Sequence, residues 1–305
     1  MRNKFVCLIL GAVLAVLIAG CGRTSGTEES GNVDSVYEET YHSESISQKE
    51  DKQYSVTSGT ETYRGFVIDN VLHSESNGDI HYNVYIPEGY DGSRPYALYF
   101  TLPGYEGLYF QGVAQNLKSE AFGFEAQKYN DEMIIVAPQL SDWGETSADQ
   151  TIELVEYFLK NYTINRDKVY ANGYSGGGET MSIVVGKRPD LFTAYLQVSS
   201  KWDGEYEPIV KARLPVYLAI GENDEYYGSE PTKKAYDTLC SLYKQEGLAS
   251  AEIDVLLVLD IKEHSYFTDR GVNNEHGGGG LFAYDEDIMG WLFGSEQISN
   301  NEKER

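Results

Sequence analysis

The chain is poor in cysteine, in positive charge and in metal-ligand spacing, and each shortage closes a class of function. Three cysteines, Cys7, Cys21 and Cys240, stand in 305 residues, which excludes a disulfide-stapled scaffold. Lys and Arg number 24 against 48 Asp and Glu, a formal net charge of −24. Such a surface argues against nucleic acid and anionic lipid headgroups as ligands. Carboxylates are plentiful, yet no His-Glu-x-x-His and no Cys/His ligand spacing occurs, so neither a metal nor another cofactor is expected. The one long apolar run, Phe5 to Ile18, is short for a bilayer span, which needs about 20 residues.

That run has the form of a secretory signal, residues 1–20, with Arg2 and Lys4 ahead of it and small residues at its end. It leads into Ile18-Ala19-Gly20-Cys21, which resembles the lipobox of bacterial lipoproteins. The resemblance implies cleavage before Cys21, a lipid on that cysteine, and a domain anchored at the cell surface, outside the cytoplasm. An uncleaved membrane anchor is the competing reading. Cleavage removes Cys7 and leaves Cys240 as the one free thiol, in a helical pattern that reads as small apolar packing. It also removes Arg2 and Lys4, making the mature chain still more acidic.

Residues 21–60 are rich in Ser, Thr, Glu and Gly with sporadic apolar positions. Such a stretch buries too little surface to offset its ordering entropy and reads as a flexible acidic tether. Residues 61–295 form one domain, since 41% apolar content supports a single sizeable core, and 296–305 is a polar tail.

Within the domain, Tyr63 to Leu72 and Ile80 to Ile86 alternate in polarity around Ser-Asn-Gly-Asp, predicting an antiparallel strand pair. Strands then follow at Tyr96 to Leu102, Met133 to Ala137, Ala194 to Val198, Val216 to Ile220 and Val255 to Leu259. Between them lie helical patterns: a stretch reaching Tyr129, Ala148 to Leu159, and Pro231 to Glu246. A short amphipathic helix, Asp285 to Phe293, closes the domain. The alternation predicts an α/β fold with a mostly parallel sheet, an antiparallel start and helices on both faces.

The sharpest motif is Val169 to Glu179, V-Y-A-N-G-Y-S-G-G-G-E, a β-prone run that turns through Gly173-Tyr174-Ser175-Gly176-Gly177 into a helix. This G-x-S-x-G pattern is that of a nucleophile elbow, in which a strained turn exposes a serine and small flanking residues relieve crowding. The helix start, beginning with the N–H of Gly176, offers donors for a developing oxyanion. A tight turn with an idle serine is the alternative, and the strand before and helix after favour the elbow.

The full order resembles the α/β-hydrolase superfamily: an antiparallel start, Pro103-Gly104 after the third strand, the elbow, Asp224 after a later strand, and a histidine before a final Trp291-Leu292-Phe293 helix. Within it the chain is similar to the esterase and polyhydroxybutyrate-depolymerase-like branch, bordering on the prolyl oligopeptidase family. The resemblance implies a Ser-His-Asp triad with the acid after the nucleophile, which removes Asp142, although Asp142-Trp143-Gly144 stands where it can line a pocket. Asp224, in a G-x-x-D loop after a strand, is the first choice of acid, with Asp203 the rival and Glu222 and Glu225 behind it. His276, opening a four-glycine run, is favoured as base over His264, which follows the last strand more closely. The second oxyanion donor is expected from Tyr105, or from Gly104, although the usual His-Gly-Gly is absent here.

Three functions are compatible with this reading. The first is a serine carboxylesterase on a small-molecule or carbohydrate ester, with Tyr105, Tyr109, Tyr174, Tyr226 and Tyr227 near the mouth for stacking. The second is a prolyl oligopeptidase-like peptidase on short peptides; that group usually carries a β-propeller gate, and no segment here reads as one. The third is a binding lipoprotein that keeps the fold without the chemistry. Lys201 to Arg213 is long enough to supply a small cap.

Overall fold

The computed structural model describes residues 54–294. The signal segment, Cys21, the tether up to residue 53 and the polar tail lie outside the described residues. The chain opens with β1 (Ser55–Thr57), β2 (Glu61–Tyr63), β3 (Phe66–Ser74) and β4 (Gly78–Tyr85). It continues with β5 (Tyr96–Leu102), β6 (Met133–Gln139), β7 (Ile164–Tyr174), β8 (Ala194–Val198), β9 (Val216–Gly221) and β10 (Leu257–Lys262). They join one sheet in the order β1-β3-β4-β6-β5-β7-β8-β9-β10, with β2 paired to β3. Pairing is antiparallel from β1 through β4 to β6, and parallel from β6 onward.

The helices are α1 (Gln115–Ser119), α2 (Phe122–Glu125), α3 (Glu145–Asn161), α4 (Gly176–Lys187), α5 (Glu207–Ala212), α6 (Glu230–Gln245), α7 (Ser250–Leu256), α8 (His264–Thr268) and α9 (Glu286–Leu292). Because side chains alternate along a strand, β5 sends Leu98 and Phe100 to one face and Tyr99 to the other. The first face packs with Val155 and Phe158 of α3, Val184 of α4 and Leu239 of α6. The second packs with Phe122 of α2, Phe267 of α8 and Ile288 and Met289 of α9. Both faces being covered, β5, β6, β8 and β9 are buried along their whole length, which is why their sequences read as continuous apolar runs.

Four sequence expectations need adjustment. The tether as bounded includes Ser55–Thr57, which the structure adds to the edge of β3. A three-residue edge strand rests on backbone hydrogen bonds and needs no apolar run. The helical stretch expected up to Tyr129 is broken into 3-10 turns and the short α1 and α2, with Ala114 and Gly112 at positive φ between them. Val255 and Leu256 finish α7, whose first turn is tied by the Glu252 carboxylate to the Ala249 N–H, so the last strand starts at Leu257. Finally, the segment that the sequence left open as a small cap packs on α4: Asp203 and Gly204 donate backbone N–H groups to Ser182 Oγ, and Ile209 and Val210 of α5 are buried.

Candidate active site

The turn after β7 places Ser175 at φ 53°, ψ −125°, a conformation that non-glycine residues rarely adopt. It is held from both sides. The Ser175 N–H donates to Val198 O at 3.0 Å, and Ser175 O accepts from Ser200 Oγ at 2.6 Å. The glycines that follow are required by contact. A Cβ on Gly176 would stand 2.3 Å from the Trp143 indole, and one on Gly177 would stand 2.5 Å from the Leu102 and Pro103 carbonyl oxygens. The elbow therefore sits directly on the loop after β5, as the pairing of Leu102 with Gly173 requires.

Two loops from the carboxyl ends of later elements meet the serine. His276 Nε2 lies 3.1 Å from Ser175 Oγ, and His276 Nδ1 lies 2.9 Å from Asp224 Oδ2. Asp224, after β9, is buried, and its Oδ1 accepts the N–H groups of Tyr226 at 3.0 Å and Tyr227 at 2.8 Å. One carboxylate oxygen is thereby fixed by backbone and the other is turned to the imidazole. His276 is itself held through its backbone, its N–H donating to Glu225 Oε2 at 2.9 Å and its carbonyl accepting from Tyr174 Oη at 2.7 Å.

The rival residues lie elsewhere. His264 Nδ1 pairs with Glu275 Oε1 at 2.8 Å, and Asp203 is bound by Lys201 Nζ at 2.8 and 3.0 Å. Glu222 is exposed, and Glu225 serves the His276 backbone. Of the two donors considered in the loop after β5, the Gly104 N–H is spent on Glu120 Oε1 at 2.6 Å. The N–H groups of Tyr105 and Gly176 have no protein acceptor among the described residues.

A cavity of about 720 Å³ opens over these groups, lined by Ser175, His276, Tyr105, Gly176, Trp143 and Tyr226 among others. Tyr174 and Tyr227 also line it, but Tyr109 does not. Its ring stacks on His81, with centroids 3.8 Å apart, because its N–H is tied to Leu140 O. Sequence reasoning passed over Glu179, which stands four residues after Ser175 and so on the same side of α4. It lines the cavity and accepts from Tyr227 Oη at 2.5 Å. Burial and that carboxylate both push the Tyr227 phenol up, so it remains a donor. Glu120 and Glu275 were also passed over; neither belongs to a motif, and the only signal for Glu275 was its place beside His276.

Residues 140–246 match the sequence profile of the prolyl oligopeptidase family. No protein of curated function matches the chain. Among solved structures, a thermostable esterase superposes with TM-score 0.61 at 18% identity, over 75% of this chain and 62% of that one. Est1E from Butyrivibrio proteoclasticus gives TM-score 0.50 at 15% identity, over 77% of this chain and 99% of that one. Oligopeptidase B from Leishmania major gives TM-score 0.50 at 14% identity, over 76% of this chain and 37% of that one. The chain thus spans less than two thirds of the thermostable esterase and little more than a third of the peptidase. Its fold is the α/β-hydrolase fold, which esterases and peptidases share.

Proposed function

We propose that this chain is a serine hydrolase that cleaves carboxylic esters through an acyl-enzyme. The observation that carries this is the unbroken line Asp224 Oδ2, His276, Ser175 Oγ, with separations of 2.9 and 3.1 Å at the floor of an open cavity. In this reading His276 Nε2 takes the hydroxyl proton as Ser175 Oγ attacks the carbonyl carbon, and Asp224 stabilises the imidazolium through Nδ1–H. The N–H groups of Gly176 and Tyr105 hold the oxyanion, and His276 returns the proton to the departing alcohol. Water, activated by the same histidine, then releases the acid.

The ester reading draws on the match to nearly the whole of Est1E, against a third of the peptidase. Trp143, Tyr105 and Tyr226 around the cavity suit stacking of a sugar or aromatic group, as in a carbohydrate ester. The match of residues 140–246 to the prolyl oligopeptidase family favours a second reading, a peptidase acting on short peptides. On the sequence signal alone, the enzyme works at the cell surface, held to the membrane by lipid on Cys21. Metabolic lipid labelling lost in Cys21→Ala tests that point.

A fluorophosphonate probe tests the chemistry. Wild type is expected to be labelled and Ser175→Ala not; a folded wild type that resists labelling returns the chain to the binding-lipoprotein reading. A panel of p-nitrophenyl esters and dipeptide anilides then separates the two hydrolases by kcat/KM.

A further inference from the structure

Asp224 and His276 sit on separate loops 52 positions apart, and something must hold those loops at hydrogen-bond distance. The structure does so with two carboxylates that reach across in opposite directions. Glu225, next to Asp224, accepts the backbone N–H of His276 at 2.9 Å. Glu275, next to His276, accepts the backbone N–H of Asn223 at 2.7 Å and the Asn223 side-chain amide at 3.2 Å. His276 is therefore clasped by one neighbour of Asp224, and the other neighbour of Asp224, Asn223, is clasped by a neighbour of His276.

The two carboxylates differ in surroundings. Glu225 is exposed, whereas Glu275 has no exposure at all. A carboxyl group taken wholly out of water is costly unless it is hydrogen-bonded or paired. Its one basic partner in the described residues is His264, whose Nδ1 lies 2.8 Å from Glu275 Oε1 and whose side chain is 56% exposed. The fold makes room for this pair. Gly221, the last residue of β9, would put a Cβ 2.4 Å from Glu275 Oε2. His264 is also well anchored, opening α8, whose Phe267 is fully buried in the core.

We infer that His264 is a positioning residue: through Glu275 it holds the Asp224 loop against the His276 loop and so fixes the acid–base distance. This rests on the reading of Asp224 and His276 as acid and base. The second histidine that the sequence offered as a rival base thus acts on the reaction through two intermediaries, without touching substrate.

The test is steady-state hydrolysis of a p-nitrophenyl ester by the full chain, with fluorophosphonate labelling rates and thermal melts on the same samples. His264→Ala, at a half-exposed position, is expected to fold. Its kcat should fall on the order of tenfold with KM unchanged, since misplacement of a reacting group by about 1 Å costs on the order of 10²-fold. Glu275→Gln should show the same split, and the double variant should be no slower than Glu275→Gln alone, because both act along one path. His264→Asn, whose amide nitrogen can occupy the place of Nδ1, should recover most of the loss. A labelled wild type with unchanged kcat in His264→Ala overturns this inference alone. Loss of all labelling in His264→Ala, with labelling kept in His276→Ala, makes His264 the base and overturns both. A wild type that takes no label overturns the proposed function and this inference with it.

Discussion

The Glu120 carboxyl accepts the backbone N–H of Gly104 at 2.6 Å, one residue before Tyr105, whose own N–H has no protein acceptor among the described residues. Loss of solvent pushes this carboxyl up from an ordinary 4.5 to about 8; the Gly104 N–H pulls the other way, and Glu106 nearby adds to the rise. The loop that carries a proposed oxyanion donor is therefore pinned by an acid that stays protonated at neutral pH.

That pKa sets a pH dependence of stability. Below about 4.5 the carboxyl is protonated in both folded and unfolded chains. As pH rises from there, the unfolded chain releases a proton that the folded one keeps, so this group's contribution falls, and the fall ends above about 8. Glu120→Gln keeps an acceptor for Gly104 and does not titrate. Denaturant unfolding at several pH values between 5 and 8.5 should show the wild type losing stability relative to Glu120→Gln as pH rises. Parallel curves for the two proteins would mean that Glu120 is not held neutral by the fold.

Asp224→Asn should keep the fold and lose the reaction. The carbonyl oxygen of Asn can still accept from the N–H groups of Tyr226 and Tyr227, as Oδ1 of Asp224 does. Its amide then faces His276 Nδ1 as a donor and forces the imidazole proton onto Nε2, where it can no longer take the proton of Ser175. A loss in kcat on the order of 10⁴-fold is expected from this tautomer error. Circular dichroism checks the fold, and a loss below about tenfold would remove Asp224 from the role of acid.

Much of this was legible in the chain. In the parallel half, β5, β6, β8 and β9 are buried from end to end because helices cover both faces, so their existence and type were legible from apolar runs and their spacing, whereas the first half of β7, with exposed Arg166, Asp167 and Lys168, carries no such run. The serine turn was legible because strained backbone demands particular residues. What escaped were features set by contacts between distant segments. Ser55–Thr57 gains its place from the backbone of β3 and carries no pattern of its own. Tyr109 was expected at the mouth from its neighbours in sequence, but its backbone bond to Leu140 sends the ring to His81. Glu120 and Glu275 lie in no motif; each gained its place from a backbone N–H on another loop.

The four-glycine run after His276 shows the same limit within one motif. None of the four has positive φ, so the run is there for space, and only part of it is used. A Cβ on Gly279 would stand 2.3 Å from Tyr174 Cε2 and 2.8 Å from Ser199 Oγ, whereas one on Gly280 meets nothing within 4 Å. Tyr174 cannot swing clear, being 8% exposed and bonded through its hydroxyl to the His276 carbonyl at 2.7 Å. Gly279→Ala should therefore cost about 1–3 kcal/mol by overpacking, and should lower kcat as well, because the ring it displaces holds the base. Gly280→Ala should change stability by no more than about 0.5 kcal/mol and leave the rate alone. Thermal melts and ester kinetics on the two variants decide the matter; equal effects would show that the run serves chain flexibility and not the close passage of Gly279 behind Tyr174.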